Sequence, residues 1–149
     1  MLKVLDITTN IGCSVLCQYC PQDQSITNYL KNSKLTNLSY ETFKTCIDKI
    51  PKNIDIIFSG FSEAFLNKDA IKMLEYVNNN NFERIFLYTT CVGLKISDID
   101  ILKIIPFKGV VVHLPENNNL MKVNVNSDFL DLMNKLFSSK ILNIQYIYK

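Results

Sequence analysis

Short apolar segments alternate with segments of helical spacing along the chain. Five runs rich in β-branched residues predict strands, and four segments with apolar residues on one helical face predict helices. The predicted strands span 2–8, 54–59, 84–90, 109–114 and 141–148, and the predicted helices span 39–50, 67–79, 97–105 and 127–139. Ser39, Asn67 and Ser97 are the expected N-caps of the first three helices. This order predicts an α/β fold with a parallel sheet, right-handed crossovers and strands buried on both faces.

Polar side chains and thiols follow the predicted strands at the points where they end. In a parallel α/β sheet, binding and catalytic residues lie at the carboxyl ends of the strands. We therefore expect one functional edge, formed by the segments "GCSVLCQYC", "SGFSE", "TTCVG" and "HLPEN" after the first four strands.

Composition describes an ordinary single globular domain. The chain has 149 residues, 48% hydrophobic and 20% charged, with a net charge of +2, which is too balanced to indicate nucleic acid as a partner. No apolar run approaches the roughly 18–20 residues of a membrane helix, and the first residues do not resemble a signal peptide. We expect a cytoplasmic protein whose thiols stay reduced, and the five cysteines then favour metal ligation or reactive chemistry.

Three cysteines crowd into the loop after the first predicted strand. Cys13, Cys17 and Cys20 have the spacing C-x-x-x-C-x-x-C, which is neither a paired zinc-ribbon motif nor a four-cysteine ferredoxin run. Three thiolates suit an iron–sulfur cluster that leaves one iron open for a further ligand.

A structural zinc site is the alternative interpretation of the same cysteines. Zinc would need a fourth ligand from elsewhere in the chain, and His113, Cys46 and Cys91 are the candidates. Cys46 falls on the apolar face of a predicted helix, so we expect it in the core.

The cysteine motif, with Tyr19 before its last thiol, resembles that of the radical S-adenosylmethionine (radical SAM) superfamily. "SGFSEAFLN" resembles the Gly-Gly-Glu-Pro stretch of that family, with Glu63 at the Glu position. "YTTCVGL" resembles its Thr-Thr-Asn-Gly stretch, and "VVVHLPE" resembles the segment of the fourth strand that reaches the cofactor ribose. The resemblance covers nearly the whole chain in the right order.

The resemblance implies a [4Fe–4S] cluster held by Cys13, Cys17 and Cys20. The amino and carboxylate groups of S-adenosylmethionine would chelate the fourth iron. An electron, from a donor such as flavodoxin or ferredoxin, would cleave the cofactor to a 5′-deoxyadenosyl radical that abstracts hydrogen from an unknown substrate.

Further cofactor-binding residues are implied in the same way. Tyr19 would lie against the adenine, and Glu63 with the backbone near Gly60 would take the methionine ammonium. The remaining members of this implied cofactor site are Ser62, Thr90 and His113, the last two near the adenosine. The alternatives are that Glu63 is a solvated loop carboxylate and that His113 is a strand-end histidine bonded to backbone.

The segment after the second strand departs from the family pattern at two places. Ala64 replaces the proline, and Phe61 with Ser62 replaces the Gly-Gly pair.

The third and fourth strands are followed by further departures. Cys91 with Val92 replaces the Asn-Gly pair, so we expect a different turn after the third strand. His113 stands where the family commonly has a smaller polar residue.

The family fold is a partial (β/α) barrel of six βα units, of which this chain supplies about five. We expect residues 1–149 to form one radical SAM core domain that is incomplete at its C-terminus. A complementing C-terminal chain or self-association would then cover the open edge. The other functional hypothesis is a non-catalytic remnant, or half of a split protein, that binds cluster or cofactor without turnover.

Overall fold

The computed structural model describes residues 3–118, 120–141 and 143–148. Within these residues the strands form one parallel sheet in chain order, which confirms the α/β prediction. The strands are β1 (Val4–Ile7), β2 (Asp55–Phe58), β3 (Ile85–Thr89), β4 (Gly109–Leu114) and β5 (Ile144–Tyr148). The partial barrel itself stays a prediction.

Helices connect successive strands, as parallel pairing requires. They are α1 (Gln22–Leu30), α2 (Tyr40–Ile47), α3 (Ala70–Asn79), α4 (Ile99–Leu102) and α5 (Ser127–Phe137), with 3-10 turns at Ala64–Leu66 and Ile96–Asp98. None of the helices in the described ranges is long and apolar enough to cross a membrane.

The core lies on one face of the sheet, where strand and helix side chains pack together. Along β4, Val110, Val112 and Leu114 are buried, whereas the residues between them are only half-buried. The buried side chains belong to one cluster with apolar residues of the helices, such as Met73 on α3. The expectation that the strands are buried on both faces is therefore wrong, and the second face is free to line a cavity.

Ion pairing joins two strands at the end of the sheet opposite the cysteine loop. Asp55, the first residue of β2, is buried and accepts hydrogen bonds from Arg84 just before β3, one of them at 3.0 Å from Nη2 to Oδ2. Hydrogen bonding to Arg84 holds the pKa of Asp55 below its usual range.

The structure corrects three expectations about helices. Helix α1 was not predicted, because "QDQSITNYL" offers few apolar residues for a helical pattern. Asn67 does not cap α3, which begins at Ala70. Its Oδ1 accepts from the backbone N–H of Asp69 (2.9 Å), the residue before the helix. Its amide nitrogen donates to the carbonyls of Thr9 (2.7 Å) and Leu38 (2.9 Å). The helix predicted at 97–105 is a 3-10 turn followed by the single turn of α4, and Ser97 is not its cap.

Other local predictions hold. Ser39 caps α2 by accepting from the backbone N–H of Thr42 at 3.2 Å. Strand β4 has the predicted bounds, and the other strands begin or end within a few residues of theirs. Leu2 and Leu142, which the sequence assigns to the first and fifth strands, lie outside the described residues.

Candidate cofactor site

An open cavity of about 270 Å³ lies at the carboxyl ends of the strands, on the sheet face away from the core. It brings together every residue singled out from the sequence for the cofactor site. They are Cys13, Cys17, Tyr19, Cys20, Gly60, Ser62, Glu63, Thr90 and His113. These residues come from four loops or strand ends that are far apart in sequence, so the parallel topology is what makes them neighbours.

The start of the cysteine loop is fixed by hydrogen bonds from two polar side chains. Asn10 is buried, and its amide nitrogen donates to the carbonyl of Gly12 at 2.8 Å. Ser62, in the loop after β2, donates to the same carbonyl at 3.2 Å. Gly12 has a φ of +97°, a conformation that suits glycine. The loop therefore leaves β1 in a defined direction and is tied to the neighbouring strand end.

The far part of the cysteine loop is held by the segment between β4 and α5. The backbone N–H of Gln18 donates to the carbonyl of Leu120 at 2.9 Å, and that of Lys122 donates to Val15 at 2.6 Å. Val15 and Met121 are both almost fully buried at this contact. The loop that carries the thiols is thus supported by the segment after β4 as well as by the loop after β2.

The three thiols of this loop form no disulfide with any described residue and are half-buried. Burial raises the pKa of Cys13, although hydrogen bonds from the backbone of Val15 and Glu63 act in the opposite direction. Across the described ranges, no three His, Cys, Asp or Glu side chains form a group that could hold one metal ion. The thiols line the same cavity, but they are not grouped closely enough to hold one metal ion.

Tyr19 stands beside the thiols at the mouth of the cavity. It is 43% exposed, which is high for a tyrosine in a cavity wall. Partial burial and a hydrogen bond with Cys17 raise its pKa to about 12. Its ring therefore stays neutral at physiological pH and presents an aromatic face to the cavity.

Glu63 is not a solvated loop carboxylate. It is 3% exposed, and both oxygens accept hydrogen bonds from the chain. Oε1 accepts from the backbone N–H of Phe65 (3.2 Å) and the hydroxyl of Thr89 (2.7 Å). Oε2 accepts from the backbone N–H and the hydroxyl of Thr90, both at 2.6 Å. Burial raises the pKa of Glu63, whereas these hydrogen bonds lower it.

Gly60 permits the close approach of the second loop to the first strand. Its φ is +101°, and a Cβ at this position would lie 2.1 Å from Oγ1 of Thr8. Glycine is therefore needed here both for the backbone conformation and for space. The turn brings Ser62 and Glu63 to the cavity.

The third and fourth strands supply the remaining wall. Tyr88 and Thr89, the last two residues of β3, and Thr90, which follows the strand, all line the cavity. His113, near the end of β4, lines it as well and is half-buried.

The possible fourth ligands of a zinc site are dispersed. Among the candidates, His113 lines the cavity, but Cys46 and Cys91 do not. Cys46 is exposed on α2, so the expectation that it lies in the core is wrong. Cys91 is buried in the core cluster, with a φ of +63° in the turn after β3.

Several residues that the sequence did not single out as cofactor-binding also line the cavity. They include Gln22, Ser59, Phe61, Tyr88 and Thr89. Tyr88 could have been found from its two-residue spacing to Thr90, because alternate strand residues share a face. Nothing in the sequence pattern indicates that Gln22, a polar residue at the start of a polar helix, is buried.

The chain is similar to known proteins in its structure, whereas comparisons of its sequence find no match. No family model and no curated protein matches the chain. Its structure is similar to a crystal structure of BtrN in complex with AdoMet and 2-DOIA, with a TM-score of 0.70 and 15% identity. It is also similar to selenomethionine BtrN in an open conformation, with a TM-score of 0.62 and 15% identity.

These matches cover 99% of this chain but only 57% and 56% of the two BtrN chains. The chain thus spans little more than half the length of the solved structures it resembles. Over nearly its whole length, the chain therefore has the same fold as part of these two BtrN structures.

Proposed function

We propose that this chain is a radical SAM enzyme domain in which Cys13, Cys17 and Cys20 hold a [4Fe–4S] cluster and the adjoining cavity binds S-adenosylmethionine. The observation that carries the proposal is the placement of three thiols, none of them in a disulfide, on one anchored loop in the wall of the same cavity as four strand ends. Thiolates are the ligands that iron–sulfur clusters take, and three of them leave one iron for another ligand. The donor set therefore fits the group.

When bound, the cluster and S-adenosylmethionine would supply one-electron cleavage of the cofactor and hydrogen abstraction from a substrate. The chain would bind and orient them and exclude competing reactions. A protein of the flavodoxin or ferredoxin class would deliver the electron.

Hydrogen bonds hold the backbone of the loop that carries the thiols. The bonds from Asn10 and Ser62 to the carbonyl of Gly12 hold the loop at one end, and its contacts with Leu120 and Lys122 hold the other. A loop backbone that is held in place before the group binds loses less conformational entropy on binding.

The aromatic and hydroxyl groups of the cavity suit an adenosine. Tyr19 offers a half-exposed aromatic face on which an adenine ring can stack. Thr90, which follows β3, and His113, near the end of β4, line the same cavity as the cysteine loop. Glu63 fixes Thr90 by two hydrogen bonds, so that residue has a defined position before any ligand arrives.

Similarity to BtrN supports the cofactor class, because that structure contains AdoMet. It does not select a substrate, since this chain spans only 57% of the BtrN chain and folds of one type host many reactions.

Anaerobic reconstitution with iron and sulfide, followed by dithionite and S-adenosylmethionine, tests the proposal. We expect 5′-deoxyadenosine from the wild-type chain and none from Cys17→Ala, whereas Cys46→Ala should behave as wild type because this thiol is exposed on α2. A chain that binds the cluster and the cofactor without cleaving it would be the non-catalytic form. A chain that takes zinc and no iron would contradict the proposal.

A further inference from the structure

A buried amide beside the cysteine loop has an oxygen with no hydrogen-bond partner. Gln22 is 3% exposed, and its Oε1 is one of three unpartnered buried side-chain oxygens among the described residues. The other two, on Ser139 and Tyr146, do not line the cavity, whereas Gln22 does. A buried acceptor without a donor is costly, and such atoms concentrate where a ligand supplies the missing partner.

The amide stands close to the thiols along the chain. Gln22 follows Cys20 by two residues and is the first residue of α1. Under the proposed function, the methionine part of S-adenosylmethionine would lie at the cluster, because its amino and carboxylate groups would complete the open iron. The adenosine would lie further away, towards Tyr19 and the ends of β3 and β4. The nearest donor that the cofactor could offer to Gln22 would then be its amino group.

Glu63 leaves that amino group in need of an acceptor. A carboxylate has about four lone-pair sites, and all four are used by Phe65, Thr89 and Thr90. Gln22 offers a neutral acceptor in the same cavity wall, and its last side-chain torsion has a broad energy minimum that lets the oxygen turn outward.

We propose that Gln22 is a binding residue for S-adenosylmethionine, whose amino group donates a hydrogen bond to Oε1. This inference rests on the proposed function and adds to it a residue and the group that the residue recognises. It also explains why a polar side chain is buried at the start of α1 without a partner.

The variant Gln22→Met separates a binding role from a structural one. Methionine is unbranched and of similar length but has no amide, so the substitution removes the unpartnered acceptor. If the oxygen serves only a ligand, the thermal midpoint of the ligand-free chain should stay the same or rise. Gln24→Met is the matched control, because Gln24 is an exposed glutamine on the same helix.

Isothermal titration calorimetry of the anaerobically reconstituted chain then measures its affinity for S-adenosylmethionine and for methylthioadenosine. We expect Gln22→Met to bind S-adenosylmethionine about 10-fold more weakly than wild type, or ~1.4 kcal/mol. Methylthioadenosine, which lacks the amino acid part, should bind both proteins equally, and Gln24→Met should bind both ligands as wild type does.

Each other outcome overturns the inference. Equal affinity of wild type and Gln22→Met for S-adenosylmethionine would remove Gln22 from the site while leaving the proposed function standing. An equal loss for methylthioadenosine would show that the amide does not contact the amino group. A thermal midpoint below that of the wild type in both ligand-free Gln22→Met and Gln22→Leu would assign the amide a structural role. A wild-type chain that binds no S-adenosylmethionine would overturn the proposed function and this inference together.

Discussion

One oxygen of the Glu63 carboxylate accepts two hydrogen bonds from Thr90. Oε2 accepts from the backbone N–H and from the hydroxyl of Thr90, both at 2.6 Å. Charge-assisted hydrogen bonds of this kind are stronger than neutral ones. The pair links the loop after β2 to the end of β3, so the wall of the cavity depends on a carboxylate that faces the protein.

Replacing Glu63 with Gln should therefore destabilise the fold. The amide has one acceptor oxygen and one NH2 group, and the NH2 would face donors that the carboxylate now satisfies. We expect the free energy of unfolding in urea to fall by ~1–3 kcal/mol, the usual cost of an unsatisfied buried group. Glu41→Gln, at an exposed position of α2, is the control. Equal stability of the two variants would show that the four bonds contribute nothing net.

Gly93 should tolerate alanine less well than Gly12, although both have positive φ angles, +92° and +97°. A Cβ at Gly93 would lie 2.4 Å from the backbone oxygen of Phe65, which cannot rotate away, whereas the nearest atom to a Cβ at Gly12 is 4.0 Å distant. Gly12→Ala should cost about 1–2 kcal/mol for the backbone conformation alone, and Gly93→Ala clearly more. Urea unfolding measures the stability that each variant loses. A larger loss in Gly12→Ala than in Gly93→Ala would contradict this prediction.

The ion pair between Asp55 and Arg84 should make stability depend on acid pH. Because the pKa of Asp55 is lowered in the folded chain, its contribution is present above the ordinary aspartate range near ~3.9. That contribution is lost as the pH falls through the folded value. We expect Asp55→Asn to be less stable than wild type at neutral pH and to lose less stability on acidification below about pH 4.

Chemical unfolding at a series of pH values measures this effect. Asp131→Asn, at an exposed position of α5, should follow the wild-type curve. An unchanged acid slope in Asp55→Asn would mean that the pair does not contribute to the pH dependence.

Much of the site could be predicted because it follows from topology. Parallel strands place their carboxyl ends at one edge, so the residues after the first four predicted strands were expected together, and Cys13, Glu63, Thr90 and His113 do line one cavity. Order and spacing along the chain were sufficient for that prediction.

What could not be predicted depends on side-chain contacts across the fold. Asn67 has the residue type of an N-cap, but its Oδ1 accepts from Asp69, before the helix, and its amide nitrogen donates to two distant carbonyls. Cys46 follows an apolar pattern in a short helix, yet Phe43 and Ile47 occupy the face that is buried. Gln22 is buried by its neighbours, and its residue type gives no signal of this.

The central claim is that three particular thiols hold an iron–sulfur cluster. Iron and acid-labile sulfide per chain, measured after anaerobic reconstitution, test this claim most directly. We expect about four iron atoms in the wild-type chain, as for a [4Fe–4S] centre. Cys13→Ala, Cys17→Ala and Cys20→Ala should each lose the cluster, whereas Cys46→Ala and Cys91→Ala should keep it. Full iron and sulfide content in Cys17→Ala would contradict the account.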